Sequence, residues 1–163
     1  MTPHQHHHHI QNPIDDAVTH VFAIMLRHPC VQVDEAPTEV QPASPGIFAT
    51  ILISGAVQGR CAVHLSADAA ARFTAILLGT DAHWNEHIAD DAVIDDAVRE
   101  LCNMIAGGWK SRLGALASAC QISVPAISHA TPPTQPGGPT VIRRLYAFAG
   151  SLLEVTLTLS TLN

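Results

Sequence analysis

The chain has 163 residues, a length that supports one domain with a buried core. Hydrophobic residues make up 47% and charged residues 13%, which excludes a disordered chain; a formal net charge of −6, with no basic cluster beyond Arg143-Arg144, argues against nucleic acid as a partner. No apolar run reaches the roughly 18 residues of a membrane span, and the N-terminus lacks the basic and apolar regions of a secretory signal, so the expectation is a cytoplasmic protein with no membrane partner.

In chain order, His4 and His6 to His9 mark residues 1–11 as a His-rich tail, a tag remnant or a frayed end, expected to be disordered. Residues 12–163 form the domain. Asn12-Pro13 followed by Ile14-Asp15-Asp16 has helix-start chemistry, and the helix should run to about His28, before Pro29. Val31 to Val40 suggests a strand in which Pro37 marks an edge or a break. Ile47 to Ser54 is a β-branched and apolar run, Gly55 and Gly59 bracket a hairpin turn, and Arg60 to Leu65 alternates as the next strand. Ser66 should cap a helix over 67–78 that Gly79 closes. Thr80 to Ala92 is a polar connector carrying His83, Trp84 and His87. A long helix follows from about Asp91 to Ala117, then a strand from Gln121 to His129 and a proline-rich loop from Thr131 to Pro139. Val141 to Phe148 and Leu152 to Leu162 close the chain as a hairpin around Ala149-Gly150. In the last strand Leu153, Val155, Leu157 and Leu159 share one face, and Glu154, Thr156, Thr158 and Ser160 the other.

This order predicts a single α+β domain with a largely antiparallel six-stranded sheet and long helices packed on one face. It also predicts two pseudo-repeats, each a helix plus three strands. Ile14-Asp15-Asp16-Ala17-Val18 recurs letter for letter as Ile94-Asp95-Asp96-Ala97-Val98, an offset of 80. Cys30, Cys61, Cys102 and Cys120 have no metal-type spacing and read as small reduced core residues. His64 and His129 have no partner spacing that favours a metal. Trp109 reads as core.

The long helix carries the chemistry. At 3.6 residues per turn, Asp96, Glu100, Asn103, Gly107 and Lys110 form one polar stripe, while Val98, Leu101, Ile105, Gly108, Trp109 and Leu116 form the apolar one. A polar stripe is usually a solvated face. This one holds a carboxylate and a carboxamide three residues apart, hence side by side, and a glycine one turn later that removes side-chain bulk. By the offset of 80, Glu100 aligns with His20 and Asn103 with Ala23, so the first copy of the helix does without the pair.

Asp96, Glu100 and Asn103, with Pro125 downstream, match the motif of the CheC/CheX/FliY chemotaxis phosphatases: Asp or Ser, three residues, Glu, two residues, Asn, and a later proline. The Met104-Ile105-Ala106-Gly107 that follows and the Asn12-Pro13 opening also resemble CheX. CheC-type members resemble a duplicated site with two active helices, and the CheX type keeps only the second, the pattern seen here.

The resemblance implies a phosphatase for the aspartyl phosphate of a CheY-like receiver. The chain would need no cofactor of its own, since Mg would come with the receiver. Catalysis would fall to Asn103, orienting the attacking water, and to Glu100, docking on the receiver's active-site lysine. Asp96, Gly107 and Lys110 would extend the partner contact. CheX relatives form dimers through sheet edges, so the resemblance also implies a homodimer. The alternative within the same fold is a receiver-binding adaptor that hydrolyses nothing. No Gly-x-Ser-x-Gly, P-loop or His-Glu-x-x-His motif points to another chemistry.

Overall fold

The apolar runs form seven strands of one antiparallel sheet, with helices set against a single face of it. In this computed structural model the described residues are 13–34, 46–80, 90–130 and 140–160. The His-rich tail, the proposed strand beyond Asp34, most of the polar connector with His83, Trp84 and His87, and the proline-rich loop lie outside them.

The first helix, α1, covers 13–20 and continues as a π-helical turn over Val21–Leu26. It stops at Arg27, in the left-handed region at φ 53°, slightly before the expected His28; Arg27 N–H and His28 N–H both close on the Phe22 carbonyl. β1 (Val31–Val33) is a short edge strand. β2 (Gly46–Gly55) and β3 (Gln58–Ser66) form a hairpin, and Gly55 at φ +100° enters its turn. An added Cβ there would meet the Ala119 carbonyl oxygen at 2.1 Å, so only glycine fits.

α2 (Ala67–Leu77) is capped by Ser66, whose Oγ accepts from Ala69 N–H at 3.1 Å. α3 (Asp91–Ser111) begins at Asp90, whose carboxylate accepts from Ala92 N–H at 3.3 Å. It ends six residues before the expected Ala117. Gly114 sits at φ +60°, and Gly114–Ala119 winds as a 3₁₀ turn. Leu116 therefore leaves the apolar stripe and is 49% exposed. The strand expected from Gln121 to His129 is two pieces, β4 (Cys120–Ile122) and β5 (Ala126–Ser128), separated by Ser123-Val124-Pro125. Proline lacks the N–H a ladder needs, so the break falls there, and the sheet counts seven strands rather than six. β6 (Thr140–Phe148) and β7 (Ser151–Ser160) turn through Ala149 (φ 46°) and Gly150 (φ 72°), the two left-handed residues of a tight hairpin.

The strand order is β1-β6-β7-β3-β2-β4, with β5 also on β2. Exchanging β1 with β4/β5, β2 with β6 and β3 with β7 reads the same order backwards. The two halves are thus related, and each lends its first strand to the other half's hairpin. Cα partners share a face. Ile47, Leu65, Leu153 and Tyr146 make one row of the helix-facing side, and Ile51, Cys61, Leu157 and Ile142 another. All are buried, with Phe22, Phe73 and Phe148 clustered beneath α1 and α2. α1 and α3 approach closely, an added Cβ on Gly108 lying 3.3 Å from the Ala17 Cβ. Tyr146 O–H donates to Asp15 at 2.6 Å, with Arg144 at 3.4 Å, tying α1 to β6. The four cysteines are free thiols, three of them buried. Trp109 is fully buried.

On the opposite sheet face His64 stacks on Phe48 at 4.1 Å and 3°. Its strand neighbour Glu154 is bound to Arg143 at 2.6 Å. Burial lowers the His64 pKa, Glu154 partly opposes this, and Arg143 adds to it. The unfolded chain then binds a proton that the folded one refuses, so His64 costs stability as pH falls below its ordinary value near 6.5. The difference in melting temperature between wild type and His64→Phe, which keeps the stack, should be constant above about pH 7.5 and shift in the variant's favour toward about pH 5.5; parallel pH curves throughout would contradict this.

Candidate functional site

α3 buries Ala97, Val98, Leu101, Cys102, Ile105, Ala106 and Trp109, and this sets its rotation about its own axis. Cys102 makes the setting specific: its Sγ donates to the Ala49 carbonyl on β2 at 3.4 Å, while the adjoining Asn103 points to solvent. Hydrogen bonding to Cys61 and burial push the Cys102 thiol pKa up, so it stays a neutral core group.

Asp96, Glu100 and Asn103 are all exposed. Together with Arg99 they form one wall of a hollow of about 480 Å³. The other wall is the β4–β5 break: Ile122, Ser123, Val124 and Pro125. Pro125, distant in sequence, thus stands across from the Glu–Asn pair. Arg99 and Asp96 form an ion pair at 2.6 Å, one helical turn apart. Among the described residues neither the Glu100 carboxylate nor the Asn103 carboxamide has a hydrogen-bond or ion-pair partner. The hollow therefore presents one free acid and one free amide, with the Asp96 charge already balanced.

Gly107 and Lys110 continue the same helix face but do not line the hollow. An added Cβ at Gly107 would meet nothing within 4 Å, so the surface there is open to close approach. Lys110 is half-buried in the last turn, where a cation suits the helix C-terminus. Sequence reasoning missed Arg99 and the 122–124 wall. The spacing of Arg99 from Asp96 was readable as a helical ion pair; Val124 was hidden by reading its segment as one strand. His129 lies 3.2 Å from Asp95, which adjoins Asp96 in the chain but lines a different hollow together with Asp91 and Ile94.

The family model for chemotaxis phosphatase CheX matches residues 47–138, more than half of the chain. The chain belongs to the CheX family. Its fold is that of solved relatives. CheX from Desulfovibrio desulfuricans is 22% identical, with a TM-score of 0.73 over 93% of this chain and 99% of that one. A CheX–CheY–BeF3–Mg complex from Borrelia burgdorferi is 18% identical, with a TM-score of 0.71 over 92% and 97%. FliY from Thermotoga maritima is 16% identical, with a TM-score of 0.64 over 97% and 91%. Among curated proteins, none matches the chain. Among the described residues no helix is long and apolar enough to cross a membrane.

Among the described residues Glu100 and Asn103 make no hydrogen bond or ion pair, so the fold draws no polar contact from them. Glu100→Ala and Asn103→Ala should each shift stability by no more than about 0.5 kcal/mol. Denaturant titration checks this; a loss above about 1 kcal/mol would show that the pair is structural.

Proposed function

We propose that this chain hydrolyses the aspartyl phosphate of a CheY-like receiver in chemotaxis or two-component signalling, by inserting the Glu100/Asn103 face of α3 into the receiver's active site. The observation that carries it is the unpartnered acid and amide facing one hollow, on a CheX-family chain. The Borrelia relative was captured with CheY, which supports a receiver as the partner here.

An acyl phosphate is already activated and needs no protein nucleophile. The new P–O bond forms from water while the bond to the aspartate oxygen breaks, releasing the carboxylate and inorganic phosphate. What this chain supplies is geometry. The Asn103 carboxamide oxygen accepts a hydrogen bond from the attacking water, its NH2 donates elsewhere, and the group never ionises. Glu100 pairs with the receiver's lysine, an ion pair that gains strength as docking excludes water. The divalent metal ion is the receiver's. Asp96, Gly107 and Lys110 flank the contact, with Gly107 admitting the partner's backbone.

The competing reading is an adaptor that docks a receiver without turnover. Fold alone does not choose between them. Decay of a phosphorylated receiver distinguishes them. Wild-type protein should accelerate it, Asn103→Ala should lower kcat by about 10²-fold with KM little changed, and Glu100→Ala should raise KM about tenfold. Binding without acceleration would leave the adaptor; the reverse pattern of kcat and KM would exchange the two roles.

We further infer a homodimer through a sheet edge. β1 pairs with β6 only at Leu145 to Ala147, so among the described residues 140–144 of β6 have no strand partner on the outer side. A free edge invites pairing. Sedimentation should give a mass of about twice 17.3 kDa; a monomer at micromolar concentration would refute it.

A further inference from the structure

The wall opposite the Glu–Asn pair is built with unusual care. At the β4–β5 break the Ser123 side chain takes the place of a strand neighbour. Leu52 N–H donates to Ser123 Oγ at 2.9 Å, and Ser123 N–H donates to the Leu52 carbonyl at 2.9 Å. The same Oγ donates to the Val124 carbonyl at 3.0 Å. Pro125 then fixes its own φ and drives the residue before it toward extended backbone. Three hydrogen bonds and a proline thus hold Val124 on both sides.

What they hold is a valine 86% exposed, the highest value of any large apolar side chain among the described residues. A lone exposed valine is ordinary on a mobile loop. Here the backbone is clamped to the sheet, and the side chain is aimed outward at the rim of the hollow that contains Glu100 and Asn103. Ile122 and Pro125 continue that apolar lining. The hollow therefore has one polar wall and one apolar rim. Interfaces combine these in the same way: a polar pair fixes register while an apolar anchor, shielded from water on docking, supplies affinity.

We propose that Val124 is the apolar anchor for the receiver, seated on an apolar group beside the phosphorylated aspartate, and that Ser123 is the positioning residue that holds it there. This rests on the receiver reading above. It assigns affinity to a residue outside the acid and amide pair, and so predicts that receivers are discriminated by the apolar group flanking their phosphorylation site.

The test is titration of a BeF3-activated CheY-like receiver, one that wild-type protein dephosphorylates, against the full chain and its variants. Val124→Asp should raise Kd at least tenfold and Val124→Ala about threefold to fivefold, while Val124→Ile stays near wild type. Ser123→Ala should weaken binding about threefold, and Ser123→Thr, which keeps the hydroxyl, should restore it. The thermal midpoint of Val124→Asp should match wild type because the side chain is solvated; should that variant fold poorly, the alanine and isoleucine pair carries the comparison. Wild-type affinity in both Val124→Asp and Val124→Ala would overturn the proposal, as would loss of self-association with receiver affinity intact, which would assign the valine to a contact between copies of this chain. Failure of wild-type protein to bind any activated receiver would instead overturn the functional reading itself, and this proposal with it.

Discussion

The rotational setting of α3 is the constraint on which everything else depends. Leu101, Cys102, Ile105, Ala106 and Trp109 are all fully buried, and each large apolar side chain among them is worth about 1.5–3 kcal/mol in its place. Turning the helix by one residue would expose part of that set and drive Glu100 or Asn103 into the core, where an unpaired acid or amide is costly. The setting holds even at some expense, since the Trp109 indole N–H is buried with no hydrogen-bond partner among the described residues. The outward direction of the acid and amide is thus a consequence of the apolar face behind them, and it needs no contact of their own.

The interleaved sheet fixes the second wall. Because the first strand of each half pairs with the other half's hairpin, the site draws on both halves: α3 and the β4–β5 segment come from the second, and β2, which anchors that segment at Leu52 and Ser123, comes from the first. α3 in turn is locked to β2 through Cys102 and Ala49. Both walls of the hollow are therefore referenced to one strand, which keeps their separation fixed. Neither half completes its sheet alone, and the fold is cooperative across the duplication.

Periodicity made most of this legible. The alternating strand residues, the Ser66 cap, the Ala149-Gly150 turn and the buried face of α3 follow from local pattern and turn chemistry, and so did the exposure of Glu100 and Asn103. What escaped were places where backbone geometry departs from a regular element without a strong residue signal. The end of α1 winds as a π turn although Val21 to Leu26 reads as ordinary helix. Gly114 was absorbed into the long helix, although its left-handed φ ends it. Pro125 breaks the strand expected from Gln121 to His129. The exposure of Val124 has no local signal: a valine in an apparently continuous strand gives no hint that it faces water.

The first half of the molecule shows what the fold builds when the chemistry is left out. Asp16, Thr19, His20 and Ala23 line a hollow of about 390 Å³ on α1. Shifted by 80, these are the positions of Asp96, Arg99, Glu100 and Asn103. A hollow thus lies over the same four helix positions in both halves, bounded by Arg112 in the first and by the β4–β5 break in the second, and only the second carries the acid and amide. In the α1 copy an imidazole replaces the carboxylate, and a methyl group that cannot accept from water replaces the amide. Ala23 also lies within the π turn, so even its backbone setting differs from that of Asn103. A depression that survives without its acid and amide is a property of two helices on a duplicated sheet. The pair in the α3 copy is an addition to that property, carried by side chains that face solvent rather than the core.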